Sequence, residues 1–127
     1  MKQVTMTTVN ISIDVPDLDA GVAFYCGVFG WVEKSRPFPE MAVIDGNNVT
    51  ICMHGKPSGT KPTPAETTRS YNRHWTPVHL DLHVSDFDST LARAVEEGAV
   101  VEQQYQEPKQ VAFCADPFGN GFCIIGP

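Results

Sequence analysis

The sequence predicts an α+β chain built from two copies of a βαβββ module, and two observations predict it. The chain repeats itself at an offset of 69 residues, and each copy closes with two apolar runs flanking a turn rich in Asp, Gly and Asn. Aligning Asn10 with His79 pairs Val15 with Val84, Asp17 with Asp86, Asp19 with Asp88, Ala23 with Ala92, Val32 with Val101 and Glu33 with Glu102.

Each copy opens with a period-2 strand. Ile11, Ile13 and Val15 alternate with Asn10, Ser12 and Asp14, and Leu80, Leu82 and Val84 alternate with His79, Asp81 and His83. Such alternation gives a strand one face on a core and one polar face. A helix follows, with Asp17 or Asp86 as N-cap and Asp19 or Asp88 in the first turn. Leu18, Val22, Tyr25 and Phe29 recur at helical spacing, as do Phe87, Leu91 and Val95, and Gly30 and Gly98 stand at the C-terminal ends.

Short strands near Val32–Arg36 and Val100–Tyr105 come next. Hairpins follow, Met41–Ile44 with Val49–Met53 around Asp45-Gly46-Asn47-Asn48, and Val111–Cys114 with Gly121–Ile125 around Asp116-Pro117-Phe118-Gly119-Asn120. One module cannot bury both faces of its sheet, so the twins are expected to pack together. The organisation expected is a single domain over residues 1–127, with module one at about 5–54, a linker at 55–77 and module two at about 78–127. The linker holds Pro57, Pro62, Pro64 and Pro77, the cations Lys56, Lys61, Arg69 and Arg73, and the cluster Tyr71, His74 and Trp75. A loop of that length is a functional segment or a solvated connection anchored by its aromatic end.

With 127 residues the chain can bury roughly two thirds of its unfolded surface. Its 42% hydrophobic and 19% charged residues are those of an ordinary globular protein. A net charge of −6 with nine Lys and Arg argues against nucleic-acid binding, and no apolar run reaches the ~20 residues of a membrane span. Met1–Thr5 lacks the apolar stretch of a signal peptide, so a cytoplasmic location is expected. Of Cys26, Cys52, Cys114 and Cys123, the last three lie in apolar runs and are expected to be reduced, buried thiols.

The segments DLDAGVAFYCGVFGW, HWTPVHLDLHV and DPFGNGFCII, in this order and spacing, resemble the vicinal oxygen chelate (glyoxalase/bleomycin-resistance) superfamily across nearly the whole chain. The resemblance implies two modules whose sheets form a concave mixed-sheet cleft, and a homodimer. Metal-dependent members place one ligand, His, Glu or Gln, on the first and last strand of each module, leaving the ion an open position to polarise substrate oxygens. Here those positions hold Asn10, His79 and Cys123. Matching Gly46 to Gly119 adds Thr50, with Cys52 or His54 reached by a slip of register.

That set lacks the carboxylate expected to hold an ion and act as base. The implied function is therefore binding of a small organic ligand in the cleft, with Asn10, Ser12, Thr50, Trp75, His79, Asp81, His83 and Cys123 lining it and no cofactor expected. Trp75 is placed to stack on a planar ligand. Trp31 reads as core, and Phe118 as a second wall or a cover for its hairpin.

The alternative is a metal-dependent lyase of the glyoxalase I kind or a dioxygenase, with His79 as ligand to zinc, nickel, manganese or iron. A thiolate-rich zinc site combining His79 with Cys52, His54 and Cys123 is a further arrangement, as is metal-free chemistry with His79 or His83 as base. His79 and His83 are about 13 Å apart along their strand and do not share an ion.

Overall fold

The computed structural model describes residues 6–127, so the reading of Met1–Thr5 concerns residues outside it. Module one runs β1 (Asn10–Val15), α1 (Leu18–Phe29), β2 (Val32–Phe38), β3 (Met41–Asp45) and β4 (Thr50–Gly55). Module two runs β5 (Leu80–His83), α2 (Phe87–Glu96), β6 (Val100–Tyr105), β7 (Val111–Ala115) and β8 (Gly121–Ile125). The sheets have equivalent orders, β1-β4-β3-β2 and β5-β8-β7-β6. In each, the first strand pairs parallel with the last, and the remaining pairs are antiparallel. The fold is α+β with two mixed sheets, as the repeat requires.

Local signals account for the elements. Asp17 accepts from the Ala20 amide at 3.1 Å and Asp86 from the Ser89 amide at 3.1 Å, which caps both helices. Gly30 ends α1 at φ +71°, where a side chain would be strained. The end of α2 is capped by Glu97, with Gly98 the next residue. Leu18, Val22 and Tyr25 bury one face of α1. On α2 the buried residues are Phe87, Thr90 and Ala94, while Val95 is exposed. The sequence offers Val95 as part of the stripe, but position 94 completes the buried line better, and alanine there lets the helix approach its sheet. Pro37 lies within β2, an outer strand, where a missing N–H costs the sheet least.

The modules share one core. Phe24 and Tyr25 of α1 stack edgewise on Phe122 of β8, Trp31 lies parallel to Tyr25 at 5.6 Å, and Phe118 packs against the same cluster. Trp31 and Phe118 therefore both cover core. The Arg93 guanidinium of α2 donates to the Val28 carbonyl of α1 at 2.9 Å.

A polar contact lies within this core. Asp116, 2% exposed, accepts from the Tyr25 hydroxyl at 2.6 Å, from the Phe118 and Asn120 amides at 2.9 Å, and from the Asn120 side chain at 3.0 Å. Burial, then the neighbouring Asp116, pushes the Tyr25 phenol well above its ordinary value.

The linker is fastened to both modules. Arg69 meets Asp14 of β1 at 2.8 Å, the Tyr71 hydroxyl donates to the Lys56 carbonyl at 2.6 Å, and Arg73 grips both oxygens of Glu102 on β6 at 2.5 and 2.7 Å. Two glycines admit it. A Cβ on Gly119 would enter the space of the Tyr71 carbonyl, and one on Gly121 would stand 3.0 Å from both Arg73 and Trp75.

Two outcomes test these contacts. Tyr25→Phe should cost about 2 kcal/mol at neutral pH, because it removes a hydrogen bond from a buried carboxylate. Since folding raises the Tyr25 value, its contribution is complete below about pH 10 and is lost as pH rises toward the folded value, by up to about 1.4 kcal/mol per unit. Urea denaturation at about pH 7, 9 and 11 should therefore show a shallower alkaline decline in the variant; parallel declines would remove Tyr25 from the account. Gly121→Ala should lift Trp75 from the sheet. In a Trp31→Phe background, acrylamide should quench the remaining tryptophan more strongly after the substitution, and unchanged quenching would contradict the close approach.

Candidate functional site

Register decides which polar side chains meet. Asp81 pairs with Cys123 and Cys123 with Phe113, so the three share the sheet face turned away from α2. His79 precedes β5 by one residue and lies two positions from Asp81, on the same face. His79 Nε2 stands 3.1 Å from Asp81 Oδ1. One donor atom each from His79, Asp81 and Cys123 lies within 4.8 Å of the others. Burial, and then the charge and hydrogen bond of Asp81, pushes the Cys123 thiol up to about 12.

Trp75 roofs this group. Its ring is 4.7 Å from that of His79 and 5.7 Å from that of Phe113, which in turn meets Tyr105 edge to face at 5.8 Å. The Arg73 guanidinium lies 5.2 Å from the Trp75 ring centre. The linker end is thus anchored on the module-two sheet, and Trp75 keeps 43% of its surface open. The Nδ1 atom of His79 is buried and has no hydrogen-bond partner among the described residues, which is costly unless a bound molecule supplies one.

Two openings flank the free edges of β1 and β5, and both are lined by Ile11 and Leu80. The smaller, about 210 Å³, lies beneath the linker against Ser12, His74, Thr76, His79 and Gly121. The larger, about 840 Å³, is bounded by Phe29, Trp31, the β3–β4 turn, Asp81 and His83.

The structure therefore gathers Trp75, His79, Asp81 and Cys123, and sets Ser12 and His83 on the openings beside them. Asn10 and Thr50 pair with each other on the module-one sheet and line neither opening. Cys52 pairs with Ser12 as Cys123 pairs with Asp81, so Cys52, not Thr50, is the counterpart of Cys123. The turn glycines are not equivalent: Gly46 stands four residues before Thr50, which opens β4, whereas Gly119 stands two before Gly121, which opens β8, and that difference of two separates Thr50 from Cys52. Cys52 and His54 lie on β4, outside the group formed by His79, Asp81 and Cys123.

Asp81 supplies the carboxylate that the family's ligand positions lack. It lies outside those positions, although the repeat already places it on the polar face of β5. Arg73 and Phe113 were not expected at the site. The alternation of Phe113 with Ala112 and Cys114 in an apolar run hides which face it takes.

Among the described residues, no helix is long and apolar enough to cross a membrane. No curated protein matches the sequence. Solved structures do match the fold. The fosfomycin resistance protein FosX from Mesorhizobium loti aligns at 15% identity and TM-score 0.71, covering 98% of this chain and 94% of that one. A lactoylglutathione lyase from Agrobacterium tumefaciens aligns at 17% identity and TM-score 0.66, covering 97% and 95%. A glyoxalase-related enzyme from Fulvimarina pelagi aligns at 19% identity and TM-score 0.73, covering 97% and 89%. The family model described as Glyoxalase-like domain matches residues 10–125, so the chain belongs to that family, within the vicinal oxygen chelate superfamily.

Proposed function

We propose that this protein binds a compact organic ligand between its two modules, held by His79. The observation that carries the reading is the buried Nδ1, unpartnered among the described residues, of a ring that Asp81 and Trp75 hold in place and that lines the smaller opening. With Nε2–H donating to the Asp81 carboxylate, Nδ1 presents a lone pair, which suits a ligand carrying a hydroxyl or N–H group. Ser12 and Thr76 add hydroxyls to the same opening. Its 210 Å³ is below the roughly 300–1,000 Å³ of drug-sized sites, so it takes a small molecule or one end of a longer one that continues into the larger opening. The net charge of −6 favours neutral or cationic ligands and disfavours nucleic acid.

The protein is read as a single domain, cytoplasmic and homodimeric. Val32 and Phe38 on β2, and Val100 and Tyr105 on β6, leave apolar surface exposed that supports pairing with a second copy. A second reading, a metal-dependent lyase or dioxygenase, is favoured by the convergence of His79, Asp81 and Cys123, and it requires an ion there.

A fragment collection of phenols, amides and primary alcohols, screened by thermal denaturation, tests the ligand reading. A fragment at about ten times its Kd should raise the Tm by about 5 °C. The shift should vanish in His79→Phe and shrink in Ser12→Ala. Shifts that survive His79→Phe would place the ligand elsewhere, and the absence of any shift would defeat the reading.

A further inference from the structure

His79 lines the smaller opening, yet its Nδ1 is closed off from solvent. The end of the linker supplies one wall of that opening. Asn72, His74, Thr76 and Val78 line it, whereas Arg73 and Trp75, which alternate with them, clasp β6 and β7 of module two. One stretch of chain is thus a wall on one side and a clasp on the other.

Few contacts hold this stretch. Among the described residues, no backbone–backbone hydrogen bond ties residues 70–78 to any other part of the chain. Pairing stops just before it, where the Arg69 amide donates to the Thr60 carbonyl and the Gly59 amide to the Arg69 carbonyl, both at 2.8 Å. Within the stretch the bonds are local, His74 Nδ1 to the Asn72 carbonyl at 3.1 Å and the Thr76 hydroxyl to the Val78 carbonyl at 2.6 Å. It therefore keeps its own shape, while side chains alone tie it to the body. Backbone without ladder partners opens at low cost. The partly exposed Arg73–Glu102 pair belongs to a class that contributes little and is screened by salt.

We infer that residues 72–78 form a lid on the smaller opening, latched by Arg73 on Glu102, and that His79 Nδ1 is reached only when the lid lifts. Tyr71 marks the hinge, because its hydroxyl is fixed to the Lys56 carbonyl at 2.6 Å and its carbonyl lies over Gly119. Trp75 is the part that travels, leaving Phe113 and His79 as Arg73 leaves Glu102. The latch then sets how fast the opening exchanges its contents. This inference does not rest on the ligand reading, because its probe reacts with the imidazole itself.

Diethyl pyrocarbonate is that probe. An imidazole nitrogen attacks a carbonyl carbon of the reagent, ethyl carbonate leaves, and the ring proton passes to solvent. Asp81 engages Nε2, so His79 reacts through Nδ1. Mass-spectrometric mapping of the whole chain yields a rate for each histidine. His79 should react at least roughly tenfold more slowly than His83, which is exposed. Glu102→Gln releases Arg73 and should speed His79 roughly threefold or more, with His83 unchanged. Gly121→Ala crowds Arg73 and Trp75 and should speed His79 by a steric route. Raising sodium chloride from about 0.05 to about 1 M should speed His79 relative to His83 in the parent chain and not in Glu102→Gln. Equal rates at His79 and His83 in the parent chain, an unchanged His79 rate in either variant, or an acceleration that His83 shares would each overturn the proposal.

Discussion

One buried carboxylate sets how the two halves of this protein meet. Asp116 is withdrawn from water, and an isolated charge there would be expensive. Four donors offset that cost, and they come from different places. Tyr25 belongs to α1 of module one, whereas the Phe118 and Asn120 amides and the Asn120 side chain belong to the β7–β8 turn itself. The Asn120 side chain also donates to the Asp14 carbonyl on β1 at 3.1 Å. A single turn of module two is thereby tied to a helix and a strand of module one. The separation of β1 from β5, and with it the opening beside His79, depends on that tie.

The linker adds placement more than stability. Arg69–Asp14 and Arg73–Glu102 are partly exposed ion pairs, a class whose net contribution is small. Their value is directional. They steer a proline-rich segment so that Trp75 comes to rest on Phe113 and His79, and Gly119 and Gly121 remove the side chains that would block its path. The anchored aromatic end and the candidate site are one feature, because the anchor is also the roof.

Much of the architecture was legible because it rests on periodicity. The 69-residue repeat, the capped helices and the two hairpin turns each have a local signal, and so does the polar face of β5. What crosses between strands did not. Whether Thr50 or Cys52 answers to Cys123 turns on where the glycine sits in each turn, four residues before the start of β4 but two before the start of β8, and such a shift changes which side chains become partners. The meeting of Asp81 with Cys123 is likewise a property of parallel pairing between strands far apart in sequence. Asp116 and Asn120 read as ordinary turn residues, since nothing near them in sequence announces Tyr25 or Asp14 as partners.

The imidazole of His79 has two nitrogens and, when neutral, a single proton to share between them. Whatever occupies Nε2 therefore dictates the character of Nδ1. Facing a carboxylate, the ring keeps its proton on Nε2 and shows the opening a lone pair. Facing a cation, it would carry the proton on Nδ1 and show the opening a donor. The same cavity would then invert its taste, from alcohols and amines to carbonyls and carboxylates, without any strand moving. A tautomer would be the selector, and the occupant of one sheet face would choose the guest admitted beside it.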